Sequence, residues 1–512
     1  MMKKIILFSL FLLIFNLTQA QDDDLAKAEK YLSYQKYEYA LKYYLKYYPK
    51  DSLSFDLNFK IGDLYLLTDI DKSKAMIYLL RAKILTEKPN PDLLFSLAKA
   101  YYYDYSFEKA ISYLSEYSIQ AKDIETKKRA GSFLQTILSA ETLFADSVEA
   151  EIVYLGDSIN STRSDINPFI NNYENRIFFS SRREKNAYHI FYSEYDSINN
   201  YWKKPQKMES ISSNYEDIIA GVDRFENEIF IHFADDSPIL DLFSSKKANS
   251  NYAEPMMAGK LISSVQKAEG ATLSASGDTL YFASNLVMGF GGFDLYYSIK
   301  LPDGEWGIPI NLGEKVNSEM DENYPFISND GQKLYFSSTG FNSMGGYDLF
   351  VSEKESNGEW AFPVNLGFPV NDVYDNKTIS LPENNRYAYT SYVKPFSGLG
   401  SNDLYKIIFK QRDPQFLTYI ANIYFGDKNY KKPVNLVSTD FAINLYEKKT
   451  NELVGTYALN KKSSKIVLAL MPGDYVLTIE NHFFETLKQN ITVNEQTYKK
   501  DIIFTEYLLK QK

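Results

Sequence analysis

The chain has 512 residues, a formal net charge of −10 and 43 tyrosines, with no cysteine. Its length exceeds one ordinary core, so about two to four domains are expected. The missing cysteine excludes a disulfide framework, a thiolate metal site, a catalytic thiol and a lipoprotein's acylated cysteine, and the acidic balance disfavours general affinity for nucleic acid.

Lys3-Lys4, the apolar run Ile5–Phe15 and the small-residue exit Thr18-Gln19-Ala20 read as a cleavable signal peptide over 1–20. A membrane anchor would need about 20 apolar residues, and no later stretch approaches that. The mature chain is expected to be exported and soluble.

From 22 to 150 the periodicity is helical. Ala40, Ala75 and Ala110 are 35 residues apart, and Ala28, Gly62 and Ala98 follow at intervals of 34 and 36. Tyr31, Tyr65 and Tyr101 come three places after the second set, and Tyr44, Leu79 and Leu114 four places after the first. Small residues at such intervals mark helix pairs in contact. The pattern resembles three tetratricopeptide (TPR) units, at 24–50, 58–88 and 94–121, with Lys127–Ala145 as a capping helix. The resemblance implies a peptide-binding concave face that includes Leu25, Phe59 and Phe95, with Glu29, Asp63 and Lys99 four places on. TPR proteins that clamp a carboxylate use Lys and Asn at such positions. This chain departs from that, so the groove suits an apolar or basic segment, or its aromatics only complete helix packing.

From 151 to 410 the period becomes two. Asp348-Leu349-Phe350 recurs as Asp241-Leu242-Phe243, Asp294-Leu295-Tyr296 and Asp403-Leu404-Tyr405, with a degenerate His189-Ile190-Phe191, at intervals of 52, 53, 54 and 55. An aromatic ahead of an X-Pro step repeats at Trp202, Tyr252, Trp306 and Trp360. Five copies of one β unit follow, each with strands such as Tyr324–Ser328, Lys333–Ser338 and Tyr347–Ser352 separated by turn signals. The first set spans Asp165–Tyr192 and the last Asp375–Phe409. Asn329-Asp330-Gly331 and the strands after it resemble the WD40-like Pro-Asp β-propeller repeat of TolB-type proteins. Glu151–Gly156 precedes the first set without a set of its own, and Leu155-Gly156-x-x-x-Asn160-Ser161 matches Leu312-Gly313-x-x-x-Asn317-Ser318. The count balances if that strand completes the last blade, giving a closed five-bladed propeller; six blades, one degenerate, is the alternative. Asp241, Asp294, Asp348 and Asp403 are expected to be structural, accepting backbone N–H bonds in turns such as Gly291-Gly292 and Gly345-Gly346; calcium binding is the competing reading.

Over 415–506, strand-like runs at Tyr419–Phe425, Ala442–Glu447, Lys465–Leu470, Asp474–Glu480 and Lys500–Phe504 indicate a small β-sandwich. Ala442–Tyr446, Leu453-Val454-Gly455 and Leu470–Leu477 are similar to the carboxypeptidase regulatory-like module, an accessory fold without catalytic residues. The glycine turn usual ahead of Ile466–Leu470 is replaced by Lys461–Ser464.

His189, His232 and His482 fall in different units without metal-ligand spacing, and there is no G-x-S-x-G nucleophile elbow. Gly289–Gly292 joins two strands rather than opening a helix, so it reads as a hairpin and not a phosphate loop. No catalytic residue, metal or cofactor is expected, and the chain reads as not an enzyme. The order signal, TPR, propeller, sandwich resembles exported OmpA-associated scaffolds, some PorE-like and serving type IX secretion or gliding. The chain ends at Lys512 without room for an OmpA domain, so peptidoglycan binding is not expected. The implied role is a periplasmic, outer-membrane-associated scaffold whose partners are envelope or secretion proteins. A carbohydrate- or peptide-binding propeller, and an enzyme with an unrecognised site at the propeller mouth, are the alternatives.

Overall fold

The computed structural model describes residues 23–512 except 69, 121–122, 185–186, 214–215, 235–241, 250, 264–267, 384–385, 394–399, 411–416, 428–429, 439, 461 and 495–501. The signal segment and Asp241 lie outside the described residues. Two compact units meet in sequence at Lys410 and Gln411. Among the described residues no helix is long and apolar enough to cross a membrane.

The first unit opens with helices α1 (23–33), α2 (Tyr37–Tyr47), α3 (Phe55–Leu67), α4 (Ala75–Ile84), α5 (Pro91–Tyr103), α6 (Phe107–Gln120) and α7 (Ile124–Ala145). The second and third pairs begin three residues earlier than the 58 and 94 expected, because the caps lie there. Ser54 Oγ accepts from Leu57 N at 3.3 Å, and Asn90 Oδ1 accepts from Leu93 N at 2.8 Å with Pro91 opening the helix. The small residues do sit where helices touch. A Cβ on Gly62 would lie 2.6 Å from Leu79 Cγ, and Ala28, Ala40, Ala75, Ala98 and Ala110 are fully buried.

Residues 150–409 form five antiparallel sheets in succession, arranged as a propeller. The first four run 165–207, 216–257, 268–311 and 322–365, each ending in a short outer strand. The first strand of each meets that of the next, and Asp165–Ile170 meets Tyr387–Tyr392 of the fifth, which closes the ring. The fifth sheet consists of Tyr387–Tyr392, Asp403–Phe409 and the strand β1 (Ala150–Tyr154), which pairs antiparallel from Ala150↔Phe409 to Tyr154↔Tyr405. The innermost strand expected from 375 is here a single bridge, Ser380↔Tyr389. Ser380 is otherwise engaged: its Oγ accepts from Ile170 N at 3.0 Å and donates to Pro168 O at 2.9 Å in the first sheet.

A repeated amide clamp explains why the N-terminal strand ends where it does. Asn317 accepts from Leu295 N at 2.7 Å and donates to Leu295 O at 3.0 Å. Asn371 holds Leu349 in the same way, at 2.8 Å in both directions. Asn160 does this to Leu404, at 2.7 and 3.2 Å, across 244 residues of sequence. Each clamped leucine follows the aspartate of the repeated tripeptide.

The helices and the propeller share an aromatic interface. Tyr102 donates to Met344 O, the Tyr103 ring lies 5.2 Å from Tyr374, and Phe144 lies 4.7 Å from Phe368. Tyr105 meets Phe368 as well, at 6.0 Å.

The second unit has two four-stranded sheets sharing one apolar core of residues such as Leu417, Ile443, Leu468, Leu477 and Ile491. Its last strand is Ile502–Leu509, which moves the boundary expected at 506. Leu453–Tyr457 and Leu487–Val493 are strands that the five apolar runs did not include. Both are edge strands with few buried residues, so period-two burial marks them weakly. In the turn ahead of Lys465–Leu470, Ser464 adopts φ 54°; its buried Oγ accepts from Asn435 N at 3.0 Å.

Asn160→Ala should cost about 1–3 kcal/mol, because it strands the buried N–H of Leu404, whose C=O keeps Leu155 N at 3.2 Å. Chemical denaturation beside Asn371→Ala checks this: similar losses are expected, and an unchanged midpoint for Asn160→Ala would show that the ring closes without the clamp.

Candidate functional site

The propeller mouth is built from the bulges of the innermost strands. Register shifts fall between Ile166 and Phe169, Ile219 and Gly221, Ala268 and Ala271, and Asn323 and Phe326. Such bulges re-aim a side chain out of the strand's regular alternation. At two of them the extra residue is left-handed, Asn167 at φ 53° and Tyr324 at φ 44°. These two side chains hydrogen-bond to each other from the first and fourth sheets. Tyr324 therefore spans the axis. Burial, then the Glu269 carboxylate, push its phenol well above the ordinary value.

Ile166, Ile218, Glu269 and Asn323 lie beside the four bulges, and Lys377 holds the equivalent place in the last repeat, at spacings of 52, 51, 54 and 54 residues. Asn323 Nδ2 donates to Glu269 Oε2 at 2.5 Å, and its Oδ1 accepts from Gly270 N at 3.2 Å. Lys377 Nζ lies 5.2 Å from the Tyr347 ring centre and 3.4 Å from Asp375 Oδ2. Tyr347 is hydrogen-bonded to Asn323, and burial followed by Asp321 and Glu269 raises its phenol. One wall is thus polar and aromatic, while the first two sheets contribute isoleucine. Arg182, stacked 4.2 Å from the Tyr188 ring and 3.2 Å from Glu216 Oε1, rims the isoleucine side. At the opposite end Arg224 crosses from the second sheet to the fourth, donating to Asn329 Oδ1 at 2.5 Å and Ile327 O at 2.8 Å.

The repeated aspartates are buried in turns. Asp294 accepts from Phe290 N at 2.6 Å, Gly291 N at 3.0 Å and Asn311 Nδ2 at 2.8 Å. Asp348 accepts from Met344 N at 2.8 Å and Asn365 Nδ2 at 2.9 Å. Asp403 accepts from Gly400 N at 3.2 Å. The neighbouring glycines serve a different purpose from the turn flexibility expected of them. A Cβ on Gly291 would lie 1.9 Å from Met320 O, on Gly345 2.4 Å from Tyr374 O, and on Gly400 1.5 Å from Arg163 O. They admit the next sheet's backbone.

Of the expected groove, Leu25 and Phe59 are half-buried at the surface of the helical core. Phe95 is not available to a partner: it is only 5% exposed. Tyr117 and Phe133 close over it at 4.9 and 5.5 Å, and the Arg129 guanidinium lies 3.9 Å from its ring centre. The capping helix α7, which supplies Phe133 and Arg129, therefore fills this end of the strip. The polar positions have partners within the chain, Glu29 with Lys60 at 2.7 Å and Asp63 with Ser96 Oγ at 2.8 Å. Lys99 is held below the ordinary lysine value by burial.

The mouth residues Glu269, Asn323, Tyr324, Tyr347 and Lys377 escaped the sequence reading. Three of them recur with the period of the aspartate tripeptide, which was the available signal, but their residue types differ at every copy. His232 also stands apart: buried, with neither ring nitrogen hydrogen-bonded, it is lowered by burial to about 4 and is neutral at pH 7.

No protein-family model and no curated protein matches the chain. Solved structures that resemble it include a TolB from Agrobacterium tumefaciens, at 14% identity and TM-score 0.30, covering 49% of this chain and 78% of that one. A periplasmic gluconolactonase from Pseudomonas aeruginosa aligns at 11% identity and TM-score 0.27, over 64% and 85% of the two chains. An α-L-arabinofuranosidase from Lactobacillus brevis aligns at 13% and 0.34, over 50% and 92%. The expectation that this chain is not an enzyme is corrected by these neighbours, since a gluconolactonase and an arabinofuranosidase are among them. A propeller positions loops around a mouth and leaves their chemistry open.

Asp294→Ala should destabilise the protein by about 1–3 kcal/mol by leaving the Phe290 and Gly291 N–H groups unpaired. Thermal unfolding with and without a chelator checks the assignment: a chelator-induced fall in the Tm of the unsubstituted protein would make these aspartates metal ligands instead.

Proposed function

We propose that the chain is an exported cell-envelope scaffold for protein–protein interactions. In this reading 1–20 is the signal peptide, 22–150 a TPR-type array, 151–410 a five-bladed propeller closed by β1, and 415–506, extended to Leu509, a carboxypeptidase regulatory-like β-sandwich. The observation that carries it is the aromatic interface of Tyr102, Tyr103, Tyr105 and Phe144 with Met344, Phe368 and Tyr374. Large buried aromatic contacts hold two repeat arrays as one body. That body presents two separate surfaces, the helical face around Leu25 and Phe59 and the propeller mouth. Preformed surfaces on a rigid body suit assembly of several polypeptides.

The order of domains resembles that of exported TPR and propeller scaffolds of the PorE-like kind, and this reading takes outer-membrane or type IX secretion components as partners. A periplasmic location, associated with the outer membrane through those partners, belongs to the same proposal. A second reading, in which the mouth binds a carbohydrate or peptide ligand, is favoured by its one-sided wall of Glu269, Asn323, Tyr347 and Lys377.

Photocrosslinking from the helical face in intact envelopes tests the first reading. Leu25→Ala with Phe59→Ala should abolish a defined crosslinked partner that Tyr347→Ala retains, with far-UV circular dichroism unchanged. The reverse pattern moves the binding to the mouth, and persistence of the partner through both changes sinks the scaffold reading of these two surfaces.

A further inference from the structure

In the fourth sheet the strand register sets Glu322 opposite Ser338, and Ser338 opposite Asp348. Two carboxylates and a serine thus form one row at the mouth end of the sheet, and all three are fully buried. Glu322 accepts only from neutral donors, Ser318 N at 2.9 Å, Ser318 Oγ at 2.6 Å and Ser338 Oγ at 2.7 Å. Asp348 uses Oδ2 for Met344 N and Asn365 Nδ2. Its Oδ1 has no hydrogen-bond partner among the described residues.

The first and third sheets carry different groups in this row. The third has Ala268, Ser284 and Asp294. The first has Asp165, Ser181 and His189, with Arg183 2.8 Å from Asp165 and Asp217 2.7 Å from His189. The doubly acidic row lies beneath the helices: Tyr102 of α5 donates to Met344 O while Met344 N donates to Asp348. Among the described residues, the titratable groups named beside the row are carboxylates and phenols. Asp294 faces Glu322 from the third sheet, Asp372 faces Asp348 from the following loop, and Tyr102 faces both Asp348 and Asp372 from α5. Tyr105 and Tyr392 complete the surroundings of Asp372.

We propose that this row is a proton-controlled latch, which seats α5 on the 339–347 loop when protonated and releases the helical array from the propeller when both carboxylates ionise. Burying two like charges without a counter-ion is unfavourable, so the protonated forms are favoured in the closed state. Burial raises Glu322 to about 7 and Asp348 to about 7. Both are raised above their unfolded values, so their contribution to the closed state is complete at acidic pH and is lost as pH rises through neutrality. Lifting α5 hydrates the row while leaving the sheet's ladder bonds intact, which makes the helical contact the element that yields.

Hydrogen exchange of the full chain at about pH 5.5 and about pH 8.5, corrected for intrinsic rates, tests the latch. Protection of 91–103 and 339–347 should fall at least about tenfold at the higher pH, the equivalent of one pKa unit, while Arg176–Ser181 stays unchanged. Asp348→Asn and Glu322→Gln should each flatten that response. Tyr102→Phe, which removes the tie to Met344 and keeps both carboxylates, should leave 91–103 fast at both pH values. A pH-independent α5, a response that survives in both carboxylate variants, or a loss confined to the fourth sheet's own strands would overturn the proposal.

Discussion

The propeller depends on a contact too close for a Cβ atom. At three seams a glycine from one sheet meets the next sheet's backbone carbonyl: Gly291 against Met320, Gly345 against Tyr374 and Gly400 against Arg163. Any side chain at these positions would force the sheets apart. Because the seams lie next to the repeated aspartates, the carboxylate, its turn and the neighbouring sheet are set together. The third seam joins the fifth sheet to the first. Ring closure therefore uses the same packing as the interior of the repeat, with Asn160 adding the amide clamp from the other end of the propeller sequence.

The helical array is bound by a different kind of contact. Its last pair and α7 turn aromatic residues outward onto the loops of the fourth and fifth sheets, and the same helix covers Phe95. A strip that looks continuous along three repeats is thereby shortened to its first two. Glu29 and Asp63 of that face are paired within the chain, and Leu25 and Phe59 are only partly exposed. Apolar surface of this size supports a specific contact only with close shape fit.

At the mouth, the chemistry comes from positions where the repeat is least uniform. Ile166, Ile218, Glu269, Asn323 and Lys377 are equivalent in the fold and unlike in type, so the ring displays apolar groups on one side and polar groups on the other. Tyr324 approaches Asn167 of the first sheet, and Arg224 reaches Asn329 and Ile327 of the fourth. Propeller structures that resemble this one include enzymes, and the architecture alone does not choose between catalysis and binding.

Alanine spacing near 35 residues and the aspartate tripeptides near 53 determined the helical pairs, the five β units and the role of the N-terminal strand. Both are periodic because each repeat must bury the same surface against its neighbour. Ser464 shows a limit of such reading, since a left-handed turn was filled by a residue other than glycine. Long-range placement lay outside the pattern altogether. Only the tertiary structure decided that Phe95 is covered by α7, that Tyr324 reaches Asn167 across the ring, and that Glu322 and Asp348 lie in one row beneath Tyr102. Each depends on which residues the folded chain brings opposite one another from distant segments, and residue order carries no local periodic trace of those meetings.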